Sequence, residues 1–212
     1  MASIIGLTGQ TGAGKSSVRK IMYKNGAAVI DADAVAHDIT EKNVDCIYDI
    51  VSRFSCLVLN KEGSINRKAL GKRVFADKKE LAALNKIIFP YILDAIEKKV
   101  LEHIKKGAEI VVIDGATVIE SGCAKMCDAL ISVVADEETR TERIIKRDEI
   151  SEEDAKRRVA AQKPEEFYTE HSDFVIENNG SKKELVQNVN VVLKNMLNIK
   201  TKAALEDRVW EK

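Results

Sequence analysis

The chain has 212 residues, long enough for one domain with a sizeable core and room for an insertion. Its 34 basic and 34 acidic residues cancel, which excludes a general electrostatic attraction to nucleic acid or anionic membrane, so any positive site must be local. No apolar run approaches bilayer length, nothing near Met1 reads as a signal peptide, and the four cysteines lack zinc-ligand pairing. A cytoplasmic protein with reduced thiols is expected, with small-molecule partners, as a monomer or weak oligomer. The three histidines are scattered and suggest no constellation.

The first predicted element is a buried strand, Ile4-Ile5-Gly6-Leu7-Thr8. It runs into Gly9-Gln10-Thr11-Gly12-Ala13-Gly14-Lys15-Ser16, which fits G-x-x-x-x-G-K-[ST], the phosphate-binding loop. Gly9, Gly12 and Gly14 let the backbone turn tightly and bring its N–H groups against a polyphosphate. Lys15 can reach the β- and γ-phosphates, and the Ser16 hydroxyl can coordinate magnesium. Val18, Ile21 and Met22 then recur at helical spacing up to Gly26, so the helix dipole adds to the anion site. Strand, glycine loop and helix are the setting this motif requires. ATP and Mg2+ are the expected ligands, with Gly9, Gly12, Ala13, Gly14, Lys15, Ser16 and Ser17 forming the nucleotide cradle.

A second strand, Ala27 to Asp31, ends in a carboxylate and is followed by Ala32-Asp33. Ligands of open α/β sheets sit beyond the carboxyl ends of the strands, which places Asp31 and Asp33 beside the phosphate loop. Asp33 can alternatively cap the helix that follows. From about residue 38 to 107 helical spacing dominates, apart from the strand-like Leu57-Val58-Leu59. Leu81, Leu84 and Ile88 mark one helix; Ile92, Ile96, Val100 and Ile104 mark a second that starts at Pro90 and ends at Gly107. This is a helical insertion. Its basic cluster of Arg67, Lys68, Lys72 and Arg73 suits either an anionic substrate or a solvated face.

Ile110 to Ile113 is a third buried strand capped by Asp114, which is positioned to support the metal together with Ser16. Ala129–Ala135 and Phe174-Val175-Ile176 complete the strands. Alternation of strands and helices predicts a three-layer α/β fold with a parallel sheet covered on both faces. Between the last two strands, Arg140, Arg143 and Arg147 share one helix face, and Ser151 opens a further helix carrying Arg157 and Arg158. Salt bridges to nearby glutamates are the alternative account of such arginines, but a lid closing over ATP, at about residues 138–165, needs them to neutralise the transferring group, and the position just after the fourth strand favours the lid. Asn178-Asn179-Gly180-Ser181 leads into a final amphipathic helix, with Leu185, Val186, Val189, Val192, Leu193, Met196 and Leu197 on one face. One domain spans residues 1–200, and the charged segment 201–212 reads as a peripheral or frayed tail.

These stretches together resemble the dephospho-coenzyme A kinases, P-loop small-molecule kinases, from about Ile4 to Leu197. The resemblance is carried by the P-loop, Val29-Ile30-Asp31-Ala32-Asp33, Gly63 to Leu70, Arg73-Val74-Phe75, Arg147-Asp148 followed by Ser151, Arg158 to Gln162, and Asp173 to Gly180. It implies transfer of the ATP γ-phosphoryl group to the ribose 3′-hydroxyl of dephospho-coenzyme A, the last step of coenzyme A synthesis. It also implies that the helical insertion contributes to the acceptor site and that Arg143, Asn178 and Asn179 lie on the nucleotide. By the same resemblance, Asp33, Lys15 and Arg147 are catalytic: Asp33 handles the acceptor hydroxyl and Arg147 reaches the phosphates. The chain departs from the family at Phe89-Pro90, where His-Pro is usual, and at Asp114-Gly115-Ala116-Thr117-Val118-Ile119-Glu120, where Asp-x-Pro-Leu-Leu-x-Glu is usual. Gly9-Gln10-Thr11-Gly12 also replaces the usual Gly-Gly-Ile-Gly. A kinase for another nucleoside-like or small alcohol is the second enzymatic expectation. A nucleotide-dependent binding protein is the third, although no Asp-x-x-Gly of a guanine switch occurs and Asn85-Lys86-Ile87-Ile88 lacks that switch's base-reading aspartate.

Overall fold

In the computed structural model, which describes residues 2–210 and side chains through Met196, five parallel strands form one sheet. They are β1 (Ser3–Gly9), β2 (Ala28–Asp31), β3 (Ile110–Asp114), β4 (Ala129–Val134) and β5 (Phe174–Glu177), in the order β2-β3-β1-β4-β5. The apolar runs that predict buried strands are buried because helices cover both faces. Successive strand side chains point to opposite faces, so Val112 joins one core while Val111 and Ile113 join the other.

On the first face, β1, β4 and β5 pack against α1 (Lys15–Lys24) and α9 (Lys182–Trp210) through Leu7, Val18, Met22, Ile131, Val189 and Leu193. Of the residues expected on the buried side of α9, Val186 is instead 40% exposed, because it lies at the margin of the apolar stripe. The side chain of Leu197 lies outside the described residues. The backbone of α9 continues through the charged segment to Trp210.

On the second face, α2 (Ala32–Lys42) and α5 (Lys78–Lys105) cover β2 and β3 through Val35, Ile92, Ile96 and Val100. The insertion adds α3 (Val44–Phe54) and α4 (Arg67–Val74), which close a separate core of Ile50, Phe54, Leu70, Val74 and Leu84. Leu57-Val58-Leu59 is not a strand. Cys56–Val58 forms a 3-10 turn, and only Leu59 makes a bridge, to Ile65. Too short to build a ladder, the run instead drops Val58 into the insertion core.

Pro90 does not start a helix either. It lies inside the continuous 28-residue α5. The proline removes one N–H bond to the preceding turn and crowds it. Packing on both sides of it outweighs that cost, since Leu84 is held in the insertion core and Ile92 and Ile96 in the sheet core. Between β4 and β5, α6 (Glu137–Asp148) and α7 (Glu152–Ala160) form a hairpin with its own small core of Ile144, Ala155 and Val159, followed by α8 (Glu165–Glu170). Ser151 caps α7, its hydroxyl accepting from the Asp154 N–H at 3.1 Å.

Continuity of α5 through an exposed proline makes a direct prediction. Pro90→Ala restores the missing N–H and should raise unfolding stability by about 1–2 kcal/mol, the proline cost less the entropy returned to the unfolded chain. Chemical denaturation checks it. A midpoint that falls would mean that Pro90 serves as the first residue of a separate helix.

Candidate active site

The phosphate loop leaves the carboxyl end of the central strand β1 and turns into α1 at Lys15. Gly14 stands at the N-cap with φ 96°, in the left-handed region that disfavours a side chain. A Cβ there would also lie 2.2 Å from Asn178 Nδ2. No side chain caps α1 and no acidic residue occupies its first turn, so its N–H donors remain available to an anion. The loop borders an open cleft of about 590 Å3, walled also by the ends of β2 and β3 and by α6.

Of the two asparagines expected on the nucleotide, Asn178 supports the loop from behind and Asn179 holds the start of α6. Asn178 is buried and donates its Nδ2 to the Ala13 carbonyl at 2.7 Å. Asn179 Oδ1 accepts the Asp136 N–H at 2.9 Å. Neither asparagine lines the cleft, and Ala13 is fully buried. Gly9, Gly12, Gly14, Lys15, Ser16 and Ser17 do line it. Arg143 also lines it, with Nη1 at 3.4 Å from both the Gly12 and Ala13 carbonyls.

The parallel register fixes a row of carboxylates beside the loop. Asp31 pairs laterally with Asp114, and Leu7 with Asp114, so both aspartates emerge at the same sheet edge as the loop. Asp114 is buried, 3% exposed. Its Oδ1 is in short contact with Lys15 Nζ, and its Oδ2 lies 3.1 Å from Arg19 Nη1. The same Arg19 nitrogen donates to Asp31 Oδ2 at 2.9 Å. Asp31 also corrects one sequence expectation. Its Oδ1 accepts the Ala34 N–H at 2.9 Å, so Asp31 rather than Asp33 caps α2, being the last residue before the helix.

Asp33 is thereby free to face the cleft. Although the residue as a whole is exposed, its carboxyl stands against the cleft wall, and partial removal from water pushes its pKa above the usual carboxylate value. The Lys15 ammonium and the Ala116 N–H oppose that rise, whereas Asp31 and Asp114 reinforce it. Gly115 makes this approach possible, because a Cβ there would lie 2.9 Å from the Ala32 methyl carbon and 3.7 Å from Asp33 Oδ1. Phe89, a second departure, packs against the sheet core and is absent from the cleft wall.

The arginines divide. Arg147 lines the cleft, with its guanidinium forked onto Asp148 at 2.7 and 2.9 Å. Arg158 joins the same carboxylate at 2.5 Å, and Arg157 pairs with Asp154 on the surface. Arg140 is buried beneath Gly12 and does not reach the cleft. In the insertion, Arg67 donates to the His37 carbonyl and Thr40 hydroxyl, and Arg73 donates to the Phe54 carbonyl while lying over the Phe54 ring. These two arginines of the basic cluster brace helices, and none of its four residues lines the cleft.

Two cleft residues escaped the sequence reading of the site. Arg19 lies one helical turn beyond Lys15, so the i, i+4 spacing was the signal for it. Gln162 follows α7 and accepts the Thr11 N–H with its Oε1 at 3.3 Å, which only the folded hairpin brings about. Among the described residues, His37, Asp38 and Glu41 also come together on α2, but all three are exposed. The His37–Glu41 and Asp38–Lys42 pairs account for their grouping. All four cysteines are free; burial pushes the Cys127 thiol up to about 12, which keeps it protonated.

Comparison with known proteins agrees with this geometry. The family model described as dephospho-CoA kinase matches residues 3–184. A dephospho-CoA kinase of Fusobacterium nucleatum is 39% identical over 186 residues, covering 88% of this chain and 94% of the relative. One from Arabidopsis thaliana is 36% identical over 190 residues, covering 90% and 82%. The solved dephospho-CoA kinase of Campylobacter jejuni superposes with a TM-score of 0.67 at 29% identity, covering 92% of this chain and 98% of that one. A shikimate kinase of Acinetobacter baumannii, at 16% identity and TM-score 0.53 over 94% and 96%, shares the fold. With its sheet order, phosphate loop and nearly full-length family match, the chain belongs to the dephospho-CoA kinase family.

Proposed function

We propose that the chain catalyses the reaction of its family, transferring the γ-phosphoryl group of ATP to the ribose 3′-hydroxyl of dephospho-coenzyme A and releasing coenzyme A and ADP. The observation that carries this reading is the convergence of Lys15, Asp33 and Arg147 on one cleft at the carboxyl edge of the sheet. The first-turn N–H groups of α1 hold the polyphosphate, and Lys15 leaves Asp114 to contact the β- and γ-phosphates. Arg143 lies along the loop beside the nucleotide, while Asn178 keeps the loop in shape from behind and Asn179 holds the start of α6. The reaction is proposed to be cytoplasmic and to involve no nucleic-acid or membrane partner. Among the described residues, no helix is long and apolar enough to cross a membrane.

Magnesium fits the site chemically. The Ser16 hydroxyl and the Asp114 carboxylate offer oxygen donors of the kind a hard cation takes, and Asp114 Oδ1 becomes available once Lys15 departs. When bound, the ion supplies charge neutralisation on the phosphate oxygens. Asp33 orients the acceptor hydroxyl and takes its proton late, because a loose transition state has formed little bond to the nucleophile. α2, which bears Asp33, leads into the insertion, and the insertion is proposed to supply the acceptor wall. Arg147 swings from Asp148 onto the migrating group as the α6–α7 lid closes.

The activity is tested by incubating the protein with Mg-ATP and, separately, dephospho-coenzyme A, nucleosides or shikimate. A gain of one phosphoryl mass on dephospho-coenzyme A alone is expected. Phosphorylation of another alcohol instead would move the assignment to that acceptor. Arg147→Ala should lower kcat by roughly a thousandfold, the scale of an arginine finger, and Arg147→Lys should recover only part of it. Near-normal kcat in both variants would leave Arg147 as no more than the partner of Asp148.

Asp33→Asn should lower acceptor phosphorylation by about a hundredfold with ATP affinity little changed. Asp33 with a raised folded-state pKa binds its proton more tightly when folded than when unfolded. Its contribution to stability is therefore favourable below that pKa and is lost as pH rises through it. The variant should consequently be no less stable than wild type at pH 7, and it should lack the acid limb of the rate profile that the raised pKa sets. Loss of ATP affinity that added magnesium restores would instead make Asp33 a metal ligand.

A further inference from the structure

Asp114 is the one carboxylate of the row that is almost wholly withdrawn from water, and two cations hold it. A buried carboxylate stripped of its only counter-charge is strongly unfavourable. Lys15 holds Oδ1, yet the proposed chemistry requires Lys15 to move to the phosphates. Arg19 holds the opposite oxygen, Oδ2, with the same nitrogen that holds Asp31. It sits one turn behind Lys15 on α1 and lines the same cleft.

We infer that Arg19 is a positioning residue that keeps Asp114 compensated while Lys15 exchanges Asp114 for the nucleotide, so that Oδ1 is released toward the cation while Oδ2 stays anchored. This inference rests on the proposed roles of Lys15 and Asp114. It adds that the exchange depends on a third charged group, one that touches neither phosphate nor acceptor. Through Asp31, whose other oxygen caps α2, the same guanidinium also ties the start of the helix bearing Asp33 to the metal-side carboxylate.

Two consequences of opposite sign follow from removing this charge. Without Arg19, Lys15 becomes, among the described residues, the one cation on Asp114 and is held more firmly, so nucleotide binding without divalent cation weakens. The carboxylate row is then more negative, so the magnesium concentration needed for nucleotide binding falls. A residue that merely braced the fold would shift both in the same direction or neither.

The experiment uses the full chain and isothermal calorimetry with ATP, in excess EDTA and across a magnesium titration. Arg19→Gln keeps the first two methylenes and an N–H donor but removes the charge. The ratio of the ATP dissociation constant without magnesium to that at saturating magnesium should rise by about tenfold or more, with the magnesium midpoint moving lower. Because one nitrogen serves both carboxylates, a point charge suffices, and Arg19→Lys should return the ratio to within about threefold of wild type. An unchanged ratio in Arg19→Gln, even with a lowered melting temperature, would overturn the inference by reducing Arg19 to a brace. So would an Arg19→Lys variant as altered as Arg19→Gln. Wild-type protein that binds no ATP would defeat the kinase reading itself, an outcome distinct from either.

Discussion

The ion pair between Lys15 and Asp114 is the constraint on which the rest of the site depends. Asp114 is buried because β3 lies beside the central strand, in a register that sets it opposite Leu7, two residues before the phosphate loop begins. A carboxylate in that position must be paired, and the loop brings Lys15 back over the strand ends to meet it. The pair thereby holds the lysine at the mouth of the phosphate cradle before any nucleotide arrives. Pre-set charge of this kind acts without reorganisation at the moment of reaction.

The layers around the sheet serve that arrangement in different ways. α1 and α9 bury one face and fix the direction of α1, whose uncapped start points its N–H groups into the cleft. α2 and α5 bury the other face and bring Asp33 to the cleft wall. The loop is held from behind by Asn178 and from the side by Arg143, so its backbone donors stay converged without a ligand. The α6–α7 hairpin has a separate core and touches the loop through Arg140, Arg143 and Gln162. Movement of that hairpin as a unit would carry Arg147 without unpacking the sheet, which is the property a closing element needs.

Much of this was legible in the sequence because it is local or periodic. The glycine loop, the strand-terminal aspartates and the arginine spacing on α6 each follow from a few adjacent residues and a known period. The misreadings arise where distant packing decided the outcome. Pro90 is a strong local signal for a helix start, but apolar residues on either side of it are held in two cores at once. Leu57-Val58-Leu59 has strand composition without a neighbour to pair along its length. Asn178 and Asn179 lie at the right end of β5, yet their side chains reach the loop and the start of α6, contacts that nothing in their own sequence neighbourhood specifies. Arg19 was readable from its spacing to Lys15, but only the register of β2 with β3 reveals why it matters.

The central claim, that Lys15 transfers from Asp114 to the phosphates and stabilises charge developing there, is tested most directly by turnover of Lys15→Ala at saturating ATP. Saturation removes any effect of weaker ground-state binding, leaving only stabilisation gained in the transition state. The account predicts that kcat falls by about a hundredfold or more, the scale of losing one preorganised donor at the site of developing charge. A kcat close to wild type, with only the KM for ATP raised, would contradict it and leave Lys15 as a binding residue whose pairing with Asp114 has no part in the chemistry.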